Sequence, residues 1–232
     1  MSDFEKDVDM LEEHDLTKLY RYSGTGFMRE PKSLKYQVAH FAMGGRSCKT
    51  DFSSSPYSIE VIHRKGYMHL VSQLWLFREV DGKMQVLLRK RPVLDLFHPE
   101  RYDCAIHQHF PFCSALPSFI YDRLRIELGV TATALSYAGD TFSKNTCIWG
   151  EKPWIDQEYK RIYIGAVSFD ENQFKVNPRY GSDVKWVWLD DLFQTAYRNS
   201  LSTCFQMEDL QVAVKMLEAK RIRMFRLPRI PI

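Results

Sequence analysis

An α+β fold, a mixed β-sheet with helices packed on it in an α/β/α sandwich, is the class this sequence predicts, as one domain with extensions at both ends. Three patterns predict it. Residues 69–90 alternate as two strands around Asp81-Gly82, residues 114–128 repeat apolar side chains at helical spacing, and strand-like runs near 132–138, 159–168 and 184–189 lead into two further helical patterns.

In chain order, residues 1–20 read as a short polar helix with only Leu11, Leu16 and Leu19 along one stripe. Residues 21–58, rich in Gly, Ser, Lys and aromatics, read as an irregular segment wrapping the core. The pairs Gly24/Gly26 and Gly44/Gly45 lack the strand-to-helix setting of a phosphate loop. From 69, Leu70, Ser72, Leu74 and Leu76 fall on one strand face and Val71, Gln73, Trp75 and Phe77 on the other. Asp81-Gly82 supplies residues that tolerate positive φ, and Val86-Leu87-Leu88 returns. Pro92 and Pro99 break regular structure over 91–101, and 103–110 suits another strand. Ser114 is the expected N-cap of the next helix and Pro117 lies in its first turn. Leu116, Ile120, Leu124 and Leu128 form its stripe, and Gly129 follows its end. Asp190 is the expected cap of a helix to about 198, and 207–221 a last helix bearing Leu210, Val214 and Leu217. The division expected is 1–58 extension, 59–200 core domain, 201–232 terminal helix and basic tail.

At 232 residues with 45% hydrophobic and 26% charged residues, the chain has the composition of a globular protein rather than a disordered one. A net charge of +3 does not by itself argue for nucleic acid. The ends are polarised: residues 1–16 are acidic, whereas Lys215, Lys220, Arg221, Arg223, Arg226 and Arg229 make the tail basic, a candidate contact for a protein partner or a polyanion. Five cysteines without Cys-x-x-Cys spacing argue for a reducing compartment and against a disulfide framework or a structural zinc site. The acidic start is unlike a signal or transit peptide, and no apolar run spans a bilayer, so the expectation is a cytoplasmic or nuclear protein with no membrane span.

Chemistry-bearing residues crowd the stretch from His63 to Val130: His63-Arg-Lys-Gly-Tyr-Met-His69, Leu87-Leu-Arg89-Lys-Arg91, Tyr102-Asp103, His107-Gln-His109 and Arg123-Leu-Arg-Ile-Glu127-Leu-Gly-Val130. In this order and spacing the set resembles the Nudix superfamily, over roughly residues 60–190. Its box, Gly-x5-Glu-x7-Arg-Glu-U-x-Glu-Glu-x-Gly-U with U aliphatic, laid on Gln108, ends without a gap on Leu124, Glu127, Gly129 and Val130. The upstream His63-Arg-x-Gly-x-x-His69, and the strand ending Trp75-x-Phe77, look like the isopentenyl-diphosphate isomerase-like branch. The box is degenerate: its glycine is Gln108, its first glutamate Ser114, its Arg-Glu pair Asp122-Arg123 and its Glu-Glu pair Ile126-Glu127. Nudix hydrolysis needs clustered carboxylates to hold divalent cations against a diphosphate. One surviving glutamate is too few, and the plain reading of Glu127 is an ion pair with Arg123 on an exposed helix face.

The isomerase-like branch implies a different centre: three histidines, here His63, His69 and His109, with two carboxylates from a Glu-x-Glu strand. Asp156-Gln-Glu158 is the matching pair, and period-two spacing puts both acids on one strand face. An alternative register uses Glu151. The resemblance implies that Glu158 serves as ligand and acid/base and that His107 stands at the family's cysteine position. It also implies an acid near 114–117 that this sequence lacks. Arg89 and Arg91 are candidate contacts for a diphosphate, and Glu127 is retained among the candidate metal ligands. The cofactor implied is a divalent metal (Mg, Mn or Zn), with no organic cofactor, and the ligand a small diphosphate-containing molecule. Three functions stay open: a Nudix fold silent for conventional hydrolysis, kept as a diphosphate-binding or scaffold module; a metal-dependent isopentenyl-diphosphate isomerase-like enzyme; and a hydrolase of a nucleotide-type diphosphate using non-standard acids.

Overall fold

The structure, a computed structural model, describes residues 39–44, 47–52, 57–93, 95, 99–110, 116–131, 134–149, 152–194, 200–202 and 204–224. The expected helix over 1–20, the N-cap at Ser114, Glu151 and the end of the basic tail lie outside these residues.

Strand β3 (Met68–Val80) carries the architecture. Its later half pairs antiparallel with β4 (Lys83–Lys90) through the expected turn, where Asp81 and Gly82 have φ of 50° and 76°. Its earlier half pairs on the same side with β6 (Ile106–His109). Along its other edge runs β8 (Lys152–Ala166), parallel to it over ten residue pairs. Three more strands complete a mixed seven-stranded sheet: β5 (Tyr102–Cys104) and β9 (Asp183–Trp188) on β4, and β7 (Leu135–Trp149) on β8. The predicted α+β class with a mixed sheet is what the chain adopts.

Both faces of β3 are buried, and its alternation feeds two cores. Leu70, Leu74 and Leu76 pack with Leu87 and with Ile120, Leu124 and Leu128 of α2 (Leu116–Leu128), the expected helix stripe. Trp75 and Phe77 point the other way, to Ile162 and Ile164 of β8 and to Leu210, Ala213 and Leu217 of α4 (Met207–Met224). Each such side chain, fully buried, contributes about 1.5–3 kcal/mol of hydrophobic stabilisation. Helix α2 stops at Gly129, whose φ of 68° is left-handed and whose N–H returns to Arg125 O at 3.0 Å. A Cβ there would lie 2.6 Å from Lys175 Cβ, so the position requires glycine on two counts.

Four expectations need correction. The segment 21–58 is not wholly irregular: β1 (Ala39–Gly44) and β2 (Ser47–Phe52) pair antiparallel. The strand expected over 103–110 is two, β5 and β6, divided by a bend at Ala105. The strands expected at 132–138 and 159–168 are the far ends of a long hairpin whose arms, β7 and β8, have fifteen residues each. The polar run Asp140 to Asn145 hides that hairpin, because β7 is an edge strand with one solvent-facing side. The helix expected to run from a cap at Asp190 is instead the four-residue α3 (Leu189–Leu192), with Trp188 at its N-cap.

Candidate functional site

Sheet register assembles the candidate residues. His69 on β3 stands opposite Glu158 on β8, and on the other side of β3 Val71 and Gln73 stand opposite His109 and His107 of β6. Asp156, Glu158 and Lys160 share the β8 face that further along carries Ile162 and Ile164, the side of α4. His63 arrives from α1 (Ile59–Lys65), a short helix capped by Ser58 and ended by Gly66 at φ 64°. That turn seats on β8, with Gly66 against Ile155 and Gln157 Nε2 donating to Gly66 O at 2.7 Å.

The histidines are oriented by the backbone. His63 Nδ1 lies 2.8 Å from Ile59 O and His69 Nδ1 3.1 Å from Tyr67 O. A carbonyl only accepts, so both Nδ1 atoms carry a proton, and in a neutral ring so held the lone pair lies on Nε2. Those Nε2 atoms meet at Asp156 Oδ1, at 3.2 and 3.4 Å, and all three atoms are buried without a hydrogen bond. The His109 ring stacks on His69 with centroids 4.8 Å apart and stands 5.2 Å from His63. One ligand atom from each of His63, His69, His109 and Asp156 lies within 4.8 Å of the others. Trp154 stacks on His63 at 4.6 Å and fixes the ring from behind.

Acceptors so placed repel one another unless a cation stands between them. Donors sharing a tetrahedral ion at bond lengths of 2.0–2.2 Å stand about 3.3–3.6 Å apart, the spacing seen around Asp156 Oδ1. Burial, and next the nearby His63, hold the His69 imidazole below its usual pKa, while burial pushes His109 well below. Neutral imidazoles are the form a metal binds. The donor set therefore fits a divalent cation.

Beside it lies a second buried group. His107 Nε2 is 3.0 Å from Glu158 Oε1, and its Nδ1 is 3.4 Å from Asp103 Oδ2. Glu158 Oε2 accepts from Ser143 Oγ at 3.1 Å and lies 3.5 Å from Lys160 Nζ, which donates to Asp209 at 2.8 Å. Burial alone would push His107 down; Glu158 and Asp103 outweigh it and hold the imidazolium well above the usual range. Burial would likewise raise Glu158, but His107, then Lys160, keeps it well below the usual carboxylate range. Glu158 thus has its oxygens committed to His107 and Ser143 and is not among the four converging ligands, whereas Asp156 is.

The remaining candidates lie elsewhere. Glu127 is fully buried, not on an exposed face, and its oxygens are held by Arg89 Nη1 and Arg123 Nε, each at 2.6 Å. It faces guanidinium groups rather than the histidines, on the α2 side of the sheet. Arg89 also donates to Tyr180 O at 2.5 Å, and Arg91 is spent on Asp103 and Asp95 at 2.7 and 2.9 Å. Both arginines expected to meet a diphosphate are therefore engaged by acids of this chain, Arg89 sharing Glu127 with Arg123.

No family model matches the sequence, and a comparison with curated proteins finds no match either. Among solved structures, the chain is similar to the NUDIX domain of Shewanella oneidensis NrtR complexed with ADP ribose, at 16% identity and TM-score 0.47, over 65% of this chain and 86% of that one. It is similar also to a C. elegans Ap4A hydrolase (14% identity, TM-score 0.43, 65% and 98% covered) and to the MutT protein of Methanosarcina mazei (13%, 0.48, 64% and 94%). Such identities carry no residue's role across.

Sequence reasoning missed Lys160, Ser143, Trp154 and Asp209. Lys160 was within reach, since Asp156-x-Glu158-x-Lys160 continues one strand face. Asp209 carries no local signal: it sits in the first turn of α4, where an acid is commonplace. Among the described residues no helix is long and apolar enough to cross a membrane.

Proposed function

We propose that this chain is a Nudix-type protein that does not perform conventional Nudix hydrolysis and whose chemistry rests on a metal centre of the isopentenyl-diphosphate isomerase-like kind. His63, His69, His109 and Asp156 hold a divalent cation, and Glu158 with His107 moves protons on a small diphosphate bound beside it. One observation carries this reading: two imidazoles whose Nδ1 atoms donate to backbone carbonyls turn their Nε2 atoms on one buried carboxylate oxygen. The order of strand, hairpin, strand and helix closing on Glu127-Leu-Gly129 supports the Nudix assignment, and the double guanidinium clamp on Glu127 supports the loss of box-dependent hydrolysis. The cation supplies Lewis acidity and a fixed positive charge. Glu158 is the base, kept ionised by His107 and Lys160, and His107 is the group that returns a proton.

A second reading is favoured by the 3.0 Å contact between His107 and Glu158, which leaves no space for a carbon between them. There the metal braces a silent diphosphate-binding module. Proton exchange separates the two. Isopentenyl diphosphate incubated with the metal-loaded protein in D2O should take up deuterium, and Glu158→Gln, assayed at saturating metal, should abolish uptake. Binding of the diphosphate without uptake would leave the silent module standing and end the enzymatic reading.

A further inference from the structure

We infer that Asp209, from the C-terminal helix α4, is a positioning residue of the metal centre: by sharing the ammonium of Lys160 it keeps Glu158 in place. This rests on the metal reading above. Asp209 is buried and accepts from three strands at once, from Gln73 Nε2 of β3 at 2.9 Å, Thr141 Oγ1 of β7 at 2.5 Å and Lys160 Nζ of β8 at 2.8 Å. Lys160 is itself fully buried and lies between two carboxylates, nearer Asp209 than Glu158 at 3.5 Å. The same C-terminal segment braces the other flank, for Ser202 Oγ donates at 3.2 Å to Asp103, the acid that faces His107. The pair His107 and Glu158 is thus held at one end through Ser202 and at the other through Asp209.

Anchoring a helix does not require these charges. Further along the same face of β8, Ile162 and Ile164 join Leu210, Ala213 and Leu217 by apolar packing alone. A buried ion pair is seldom better for stability than an apolar pair of the same volume. What the charges do here is divide one ammonium between two acids. Without Asp209, the Lys160 ammonium would turn wholly to Glu158, draw its carboxylate away from Ser143, and leave an unbalanced positive charge beside a site built for a cation.

Cobalt(II) titration of the metal-free full chain, read by visible absorption, tests this. Asp209→Asn should weaken cobalt binding by about tenfold or more, because the Lys160 charge it leaves unbalanced repels a cation bound nearby in a buried, weakly screened setting. Removing both charges, Lys160→Met with Asp209→Leu, should recover binding to within about threefold of the parent, since Glu158 keeps His107 and Ser143. Equal binding by the parent and Asp209→Asn would overturn the inference, as would equal weakening by the single and double variants, which marks a brace for the fold only. Should Asp209→Asn prove insoluble, Asp209→Ser replaces it in the same comparison, and parent-like binding again overturns the inference. A parent protein that takes up no cobalt ends both this inference and the metal reading, whereas an indifferent Asp209→Asn ends this one alone.

Discussion

Removing metal from this protein should lower its melting temperature by an amount that its buried ligands set. His63 Nε2, His69 Nε2 and Asp156 Oδ1 make no hydrogen bond among the described residues. A buried polar atom left so costs about 1–3 kcal/mol, and coordination relieves that cost. A cation present at a hundred times its dissociation constant stabilises the state that binds it by about 2.7 kcal/mol. In a chain of this length each kcal/mol moves the midpoint by about 2–4 °C, so the expected shift is roughly 5–11 °C. The assay is a thermal melt followed by circular dichroism, on chelator-dialysed protein with and without added zinc. His69→Ala should melt at one temperature in both. Identical melts of the parent in the two buffers, or an undiminished metal shift in His69→Ala, would refute the reasoning.

Two other outcomes follow from the buried charges. Glu127→Gln strands the Arg89 and Arg123 guanidiniums without an anion and should cost about 3–5 kcal/mol by urea unfolding, yet leave zinc affinity unchanged because the clamp lies on the α2 side of the sheet; a coupled loss of affinity would count against that separation. Burial raises the Cys104 and Cys204 thiols to about 11 and about 12. The unfolded chain gives up these protons near pH 9 and the folded chain holds them, so the stability is whole below pH 9 and is lost as pH rises through 11 and 12. Unfolding free energy should fall by about 1.4 kcal/mol per pH unit for each thiol in that window, and a Cys104→Ala/Cys204→Ala variant that keeps the full slope would disprove the cause.

The hairpin at Asp81-Gly82 and the helix ending at Gly129 were legible because each needs a particular backbone at a marked residue. The histidines were legible through spacing, and the sheet then brings residues 63, 69 and 109 together across three elements. Which acid joins them was not legible. Asp156 and Glu158 share one strand face, and the positions of His107, two strands away through space, and of Ser143 on β7 decide that Glu158 is otherwise engaged. The long hairpin of β7 and β8 was missed because an edge strand exposes one side, so its pattern is polar where the core strands are continuous. Asp209 is 136 residues from Gln73 in sequence, and its partners come from the sheet face that α4 covers. Contacts of that kind have no local signature.

The alternation of β3 has a consequence for how this chain tolerates change. Leu70, Leu74 and Leu76 belong to the α2 core, while His69, Gln73, Trp75 and Phe77 belong with the site and α4. Point substitutions on the two sets are separated by the thickness of one backbone, so side chains facing α2 can change while the histidines stay in place. Length is another matter. A single residue inserted or deleted between 69 and 77 would turn every later side chain to the opposite side. Heredity can therefore edit either side of this strand letter by letter, but it cannot reframe it.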